Sequence, residues 1–257
     1  MPTFHRGRRS TFGRAPSGDL EALLVDVGKA LAAFQETLVT RRTPFDDFRD
    51  ALARSDSEAA GRYPEAAQRG AKLFVGKGAC SLCHVGANFT HGEFHGIGIP
   101  IFRKSGGVDW GRYQAIKMLK ASRFNLLREY NDDPACSTAT STRFMALAPQ
   151  TFEQFKVPSL RNVALTAPYM HNGHLPTLGE VVRHYSEIDP AKLHAAHLYV
   201  GSDFGDMVPD AIPAETLLKP LALSTREIED LVAFLDTLTE HGAASARRPP
   251  LDPHPCN

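Results

Sequence analysis

The chain has no excess of charge of either sign and no long apolar run. Its 257 residues include 29 Lys and Arg and 29 Asp and Glu, so the formal net charge is zero with neutral histidine. A nucleic-acid-binding protein needs a basic surface, and this balance gives no indication of one. No apolar stretch reaches the roughly 20 residues that cross a bilayer as a helix. The 42% of hydrophobic residues is typical of a globular chain.

The sequence also lacks the motifs of several enzyme classes. It contains no evident Ser-His-Asp set and no glycine-rich phosphate loop, and its acidic residues show no pairing pattern that indicates acid–base catalysis. Residues 1–17 are basic but have no apolar core, so they are not predicted to be a signal peptide. We expect residues 1–17 and the proline-rich residues 241–257 to be disordered.

Cysteine is scarce, and two of the four cysteines lie in the run Cys80-Ser81-Leu82-Cys83-His84. This C-x-x-C-H pattern is typical of c-type haem attachment, in which each thiol adds to one vinyl group and the histidine binds the iron. A redox C-x-x-C pair does not need the adjacent histidine. A zinc site would need two further ligands at matching spacing. The motif therefore predicts one covalent haem, redox chemistry and an oxidising compartment.

The other two cysteines, Cys136 and Cys256, stand alone in the sequence. They could pair with each other in an oxidising compartment, or each could remain a free thiol. Connectivity cannot be deduced from spacing, so the sequence leaves both alternatives open.

Hydrophobic periodicity predicts a chain built mainly from helices. Apolar residues recur at helical spacing through residues 19–38, and a short helix is expected after Pro44. Residues 55–62 form a polar connector in this prediction. Residues 85–150 are rich in glycine, asparagine, aspartate, serine and proline, which predicts a mostly irregular segment. Loops of this length are uncommon unless they are functional, and wrapping a cofactor is a sufficient reason.

Three later helices have clear start signals. Residues 64–74 begin with proline in the first turn, and Gly70 and Phe74 share a face on which another helix could cross closely. Residues 177–180 and 224–227 are capping boxes, each with a hydroxyl at the N-cap and glutamate three positions later. The predicted fold class is all-α, with long loops packed around the cofactor.

The second axial ligand of the iron sets its chemistry, because His84 supplies only one. Tyr185 lies on the apolar face of its predicted helix, although buried tyrosines commonly only hydrogen-bond to the backbone. Met170 would be the conventional cytochrome ligand or a packing residue. Spacing alone leaves the choice open among the candidates that follow the motif: Met118, Met145, Met170, His171, His174, His184, Tyr185, His194, His197 and Met207.

Residues 157–173, VPSLRNVALTAPYMHNG, closely resemble the C-terminal signature of the bacterial di-haem cytochrome c peroxidases, and above all of their relatives around the methylamine-utilisation protein MauG. Because several further segments resemble the same family and occur in the family's order, the resemblance is specific. It covers roughly residues 19–239, and the further segments are residues 27–39, 87–95, 218–221 and 231–235.

The resemblance implies that the chain matches one half of a larger arrangement. In the family, two cytochrome c-like domains each carry a haem; the N-terminal haem reacts with hydrogen peroxide and the C-terminal haem relays electrons. This chain resembles the C-terminal half, with residues 18–60 as a helical bridge and residues 61–240 as the cytochrome c-like haem domain. A first C-x-x-C-H is absent, so we expect the isolated chain to lack the peroxidatic haem.

The function implied by the resemblance is electron relay in a peroxidase-like or MauG-like oxidoreductase of the periplasm. Its partners would be a redox protein or a second haem domain, with hydrogen peroxide as the oxidant of the complete system, no nucleic acid and no membrane span. The alternative is a stand-alone monohaem cytochrome c that carries electrons without peroxidase activity.

The family pattern also implies the iron ligands. His84 matches the proximal ligand, and the distal ligand of the family lies fourteen positions after the histidine that here is His171, which is Tyr185. Classical peroxidases of the family have methionine at this position and MauG-like members have tyrosine. An anionic phenolate stabilises ferric iron more than a neutral thioether does. The hypothesis is therefore a low-potential His/Tyr haem, with Met170 as the alternative distal ligand.

Further site residues follow from the same resemblance. Thr166 and Pro168 match positions whose backbone carbonyls help to bind calcium in the family. Arg161 could donate to the haem propionates or be a surface arginine, and His171 could reach a propionate or orient the distal loop. Two loop histidines are weaker candidates: His91 and His95.

Overall fold

The computed structural model describes residues 19–99, 109–188 and 218–242. The chain divides into two compact units, one within residues 1–40 and 123–140 and the other within residues 41–122 and 141–257. Predictions that concern Cys256, His194, His197, Met207 and residues 1–17 fall outside the described residues. Within the described ranges, no helix has the length and apolarity needed to cross a bilayer.

The first unit contains the predicted N-terminal helix, α1 (Leu20–Glu36). The Asp19 side chain caps it by accepting the amide proton of Glu21. Lys29 pairs with Asp132, which connects the helix to the second segment of this unit. The large apolar side chains that gave the helix its periodicity are exposed, among them Leu20, Leu24, Leu31, Phe34 and Leu38.

The remaining elements follow in chain order, most of them in the second unit. The helices are α2 (Pro44–Ala53), α3 (Ser57–Gly61), α4 (Glu65–Val75), α5 (Arg112–Ala121), α6 (Thr140–Arg143), α7 (Leu178–Glu187) and α8 (Thr225–Asp236). Short 3₁₀ turns lie at Cys80–Leu82, Ser137–Ala139, Pro149–Thr151 and Val163–Leu165.

Both predicted capping boxes are present at the starts of α7 and α8. The structure has a third, in which Thr43 caps α2 and the Asp46 carboxylate accepts the Thr43 amide proton. The sequence prediction missed it, because aspartate rather than glutamate occupies the return position. The prediction of a connector at residues 55–62 is wrong in part. The Asp56 side chain caps a short helix there, α3, by accepting the amide proton of Ala59.

The core of the second unit forms where α4 crosses α8. At Gly70, an added Cβ would stand 1.9 Å from the Asp230 carbonyl oxygen, so the backbones approach more closely than a side chain would allow. Arg69 closes the crossing with two hydrogen bonds of 2.8 Å to the Asp230 carboxylate. Helix α7 and the loop after the C-x-x-C-H motif complete the buried cluster: Phe74, Phe89, Leu178, Val182, Leu231, Phe234, Leu235 and Leu238.

The described chain is mainly helical, but it is not exclusively so. Strand β1 (Phe94–His95) pairs antiparallel with β2 (Phe155–Lys156), with His95 opposite Phe155. Most of the described residues within 85–150 lie outside helices and strands, as predicted, but β1 and the helices α5 and α6 also lie in this segment. The two-residue strands carry no alternating pattern long enough to recognise, and their partners are distant in sequence.

Candidate haem site

The C-x-x-C-H motif follows directly on the end of α4. Ala79 takes a left-handed conformation, with φ of 51°, and turns the chain into the 3₁₀ turn of the two cysteines. The amides of Cys83 and His84 both donate to the Cys80 carbonyl oxygen, at 3.3 and 2.9 Å. This tight turn fixes the spacing of the two thiols and the position of the histidine.

The two cysteines are half-buried, and neither forms a disulfide. Burial raises the pKa of the Cys80 thiol to about 11, with a smaller contribution in the same direction from Cys83. The Cys80 thiol donates to the Gly78 carbonyl oxygen at 3.4 Å. Both cysteines are therefore available in the chemical form and the spacing that thioether formation requires.

His84 is oriented by its own hydrogen bond. Its Nδ1 lies 2.9 Å from the Phe89 carbonyl oxygen, and a carbonyl can only accept, so Nδ1 carries the proton. In the neutral ring, Nε2 then has the free lone pair that a metal ligand needs. Burial lowers the pKa of His84, which favours this neutral form at physiological pH, while the bond to Phe89 opposes the shift.

The loop after the motif is held by the segment that resembles the family signature. Thr90 donates its hydroxyl proton to the Val157 carbonyl at 2.7 Å, and the Val157 amide donates to the Glu93 carbonyl at 2.8 Å. The Ser159 hydroxyl donates to the Asn88 carbonyl at 2.7 Å. These bonds fix the Phe89 carbonyl, and with it the ring of His84.

Tyr185 interacts with the same motif from α7. Burial raises the pKa of its phenol strongly, and charges on Cys80 and Cys83 would raise it further. Because the phenol is neutral unless a cation stabilises its ionised form, ferric iron would have to drive its deprotonation.

Most of the other candidate ligands within the described residues are engaged or exposed, whereas Met145 and Met170 are half-buried. His184 Nε2 lies 2.7 Å from the Ile97 carbonyl oxygen, so this nitrogen carries a proton and points at that acceptor. Met118 is exposed on α5. His171 stacks on Phe155 with ring centroids 3.6 Å apart, and desolvation lowers its pKa. Met170 is half-buried and holds a positive φ of 68°.

Arg161 is held by several protein groups. Its guanidinium donates to both carboxylate oxygens of Asp46, at 2.6 and 3.0 Å, and to the Ala87 carbonyl at 2.8 Å. It also lies over the Phe89 ring, 5.3 Å from the centroid. The pair is well shielded, with 11% of the Arg161 side chain and 8% of the Asp46 side chain exposed. These contacts give Arg161 a structural role, and its binding of a propionate remains a prediction.

The predicted calcium residues lie on the surface of the second unit. Thr166 and Pro168 are both exposed, and the Thr166 hydroxyl donates to the Val163 carbonyl at 2.9 Å. Within the described ranges, no group of three carboxylate, thiol or imidazole ligands gathers around them. Calcium binding through their carbonyls therefore remains a prediction.

No protein-family model matches the sequence. The methylamine utilization protein MauG of Methylorubrum extorquens is 34% identical over 218 residues, which cover 85% of this chain and 45% of MauG. The cytochrome-c peroxidase IdrP1 of Pseudomonas sp. strain SCT is 30% identical over 219 residues, covering 83% of this chain and 49% of the relative. The chain belongs to the bacterial di-haem cytochrome c peroxidase and MauG family.

The chain spans about half the length of these members of the di-haem peroxidase and MauG family. Among solved structures, a MauG-like protein associated with microbial copper homeostasis aligns with a TM-score of 0.45 and 26% identity, over 82% of this chain and 55% of that one. The family assignment agrees with the C-x-x-C-H motif, since cytochrome c peroxidases are haem-containing oxidoreductases.

Proposed function

We propose that this chain is a c-type haem electron-transfer domain of a di-haem peroxidase-like or MauG-like oxidoreductase. In this role it relays electrons to or from a haem that reacts with peroxide. The observation that carries the proposal is the orientation of His84, whose Nδ1 donates to the Phe89 carbonyl at 2.9 Å. In the neutral ring that bond leaves Nε2 unprotonated, and the histidine directly follows two cysteines at haem-attachment spacing.

The described residues fit a single haem c. Cys80 and Cys83 would hold the porphyrin through thioethers, and His84 would bind the iron from one side. Tyr185 is the proposed ligand on the other side, because it stands fourteen positions after His171, where MauG-like members of the family have tyrosine; Met170 is the alternative. When bound, the haem supplies one-electron oxidation and reduction. The protein keeps His84 neutral by burial and fixes its ring through the Phe89 carbonyl.

The wider assignments belong to the same proposal. Residues 61–240 would form the cytochrome c-like domain and residues 18–60 the helical bridge, with the protein working in the periplasm where haem c is attached. A calcium ion could use the carbonyls of Thr166 and Pro168. The complete system would take hydrogen peroxide as oxidant and a redox protein or second haem domain as partner.

A second candidate is a stand-alone monohaem electron carrier. The observation that favours it is the sequence itself, which contains one C-x-x-C-H among its 257 residues. A single six-coordinate haem can exchange electrons without offering peroxide an open position on the iron. This candidate differs from the first in needing no peroxide-reacting haem.

Peroxide turnover distinguishes the two candidates. The haem-loaded chain is mixed with a reduced redox protein and hydrogen peroxide, first alone and then with a peroxidatic haem domain from a MauG-type relative. The proposal predicts electron exchange in both cases and peroxide-dependent oxidation of the donor only with the added domain. Electron exchange with the redox protein, but no peroxide turnover even when the peroxidatic domain is added, would favour the stand-alone carrier. Fast turnover by the chain alone would contradict both.

A further inference from the structure

A second group of metal-ligating side chains lies beside the haem-attachment motif. One sulfur atom and two ring nitrogens, from Cys83, His91 and His95, all lie within 4.8 Å of one another. All three residues are half-buried. Among the described residues, this is the one cluster in which three potential metal ligands come this close.

The backbone holds the three residues in place. The His91 amide donates to the Cys83 carbonyl at 3.1 Å, which closes the loop between them. His95 lies in β1 and is paired with Phe155 of β2. The Gly92 amide donates to the Thr90 hydroxyl at 3.0 Å, and Gly92 turns the chain with a φ of 77°. The side chains are therefore brought together by a fixed turn and a strand rather than by chance contact on a free loop.

The separation of the two rings matches a coordination site. His91 Nε2 and His95 Nε2 are 3.3 Å apart, and the ring centroids are 5.2 Å apart. Two nitrogens that bind one tetrahedral zinc ion at ~2.05 Å each lie about 3.3 Å from one another. Thiolate and imidazole are also the ligands that zinc prefers in proteins.

We propose that Cys83, His91 and His95 bind a zinc-class divalent cation before haem is attached, with water at the fourth position. The Cys83 sulfur would bind as thiolate and each ring through one nitrogen. In the metal-free arrangement the Glu93 amide donates to His91 Nδ1 at 3.1 Å, so the proton of His91 lies on Nε2, between the rings. On binding, that proton moves to Nδ1, the Glu93 contact opens, and the thiol proton is released to water.

The site and the haem exclude each other at one atom. Attachment would add the S–H of Cys83 across a vinyl double bond: sulfur would bond to one vinyl carbon, hydrogen would pass to the other, and the S–H and C=C π bonds would be lost. The product is a neutral thioether, a poor ligand for zinc. A zinc-bound thiolate, in turn, cannot add to a vinyl group until the ion leaves. This exclusion rests on the proposed function; the binding of the cation by the unmodified Cys83 thiol does not.

Cobalt(II) is the probe, because its complexes with thiolate absorb visible and near-ultraviolet light and it substitutes for zinc. The full chain is purified without haem, reduced, and titrated with cobalt, then with zinc as competitor. We expect a thiolate–cobalt band that saturates at one equivalent and is displaced by zinc. The absence of the band would overturn the proposal.

Matched variants separate this site from ordinary chelation by the two cysteines. C83S, H91Q and H95Q should each weaken cobalt binding by a factor of about ten or more, whereas C80S should retain it. The controls C136S and H174Q should behave as the parent, with far-ultraviolet circular dichroism comparing the folds. If C80S abolishes the band as completely as C83S, or if an H91Q/H95Q double variant retains it, the site does not exist as proposed.

Haem attachment is measured separately on the exported chain. Attached haem with no cobalt binding by the haem-free chain refutes the cation site and leaves the proposed function intact. Cobalt binding without attached haem supports the cation site and refutes the proposed function. If both occur, the haem-loaded protein should lack the thiolate–cobalt band, and zinc bound in advance should slow attachment; a band of equal strength after attachment would refute the exclusion.

Discussion

At the scale of the residue, Tyr185 is the proposed distal ligand, and in that position it would set the reduction potential of the haem. Replacing it with phenylalanine removes the phenolate oxygen while the aromatic ring still fills the space. We predict that Tyr185→Phe changes the ferric optical and electron paramagnetic resonance spectra of the haem-loaded protein and raises the reduction potential, since an anionic ligand that favours ferric iron is lost. Tyr113→Phe is the control, because Tyr113 stacks on Phe152. An unchanged low-spin spectrum in Tyr185→Phe would eliminate this residue as ligand.

Arg161 is a second residue whose role the structure defines. Its removal would leave the buried Asp46 carboxylate with only the half-exposed Arg49, 3.3 Å from Oδ1, as a cationic partner. Breaking a buried ion pair costs about 3–5 kcal/mol. We predict that Arg161→Ala lowers the free energy of unfolding by about this amount in denaturant titrations. The control is Arg62→Ala, which removes an exposed i,i+4 pair with Glu58 and should cost less than about 1 kcal/mol. Equal losses of unfolding free energy in Arg161→Ala and Arg62→Ala would contradict a structural role for the buried pair.

The same pair predicts a dependence of stability on pH. Burial alone would raise the pKa of Asp46, but hydrogen bonds from Arg161 and Thr43 outweigh it and hold the pKa at about 2, below the usual 3.8. A depressed pKa stabilises the fold above about pH 4, and this contribution disappears as the pH falls towards 2. Between pH 5 and pH 2, the parent should lose about 2 kcal/mol more unfolding free energy than Asp46→Asn. If the parent and Asp46→Asn lose the same unfolding free energy between pH 5 and pH 2, Asp46 is not the group responsible for the pH dependence.

These residue roles differ in how far the sequence could predict them. The C-x-x-C-H run indicated its chemistry directly, because the ligands are adjacent in the chain. Arg161 and Asp46 are 115 positions apart. The sequence therefore indicated that Arg161 could donate two hydrogen bonds, but it did not show that the Asp46 carboxylate accepts them. His91 and His95 were ranked as weak candidates, since nothing in the sequence shows that a turn and a strand bring both rings to Cys83.

At the scale of the element, the crossing of α4 and α8 depends on the lack of a side chain at Gly70. A Cβ there would overlap the Asp230 carbonyl oxygen at 1.9 Å. We predict that Gly70→Ala separates the two helices and costs about 1–3 kcal/mol or more of unfolding free energy, although alanine favours a helix. Thermal and denaturant unfolding measure this cost.

Gly28 provides the matched control in α1. A Cβ at Gly28 would meet no atom within 4 Å, so Gly28→Ala should raise the unfolding free energy by about 0.5–1 kcal/mol through helix propensity alone. Opposite signs for the two glycines are the expected result. Stabilisation by both substitutions would contradict the close crossing.

The elements could be predicted where local signals were strong. Capping boxes and periodicity placed α1, α4, α7 and α8, because these signals act within a few residues. The β1–β2 pair joins residues about 60 positions apart by two-residue strands, which are too short to show alternation. The apolar periodicity of α1 correctly predicted a helix, but it did not predict whether the apolar face is buried. The pattern does not show which surface, if any, packs against that face.

At the scale of the whole molecule, the chain is a member of its family that spans about half of the relatives' length. The sequence predicted this membership from several motifs in order. The proposed electron-relay role depends on one covalent haem in the second unit. Cys80 and Cys83 would hold this haem, and His84, oriented by the Phe89 carbonyl, would bind its iron.

The most direct test of that claim is the intact mass of the full chain, expressed behind an export signal in a host that attaches haem c, together with its pyridine haemochrome spectrum. We predict the polypeptide mass plus one haem, the spectrum of a haem held by two thioethers, and loss of the added mass in a Cys80→Ser/Cys83→Ser double variant. A colourless protein with the mass of the bare polypeptide would contradict the account.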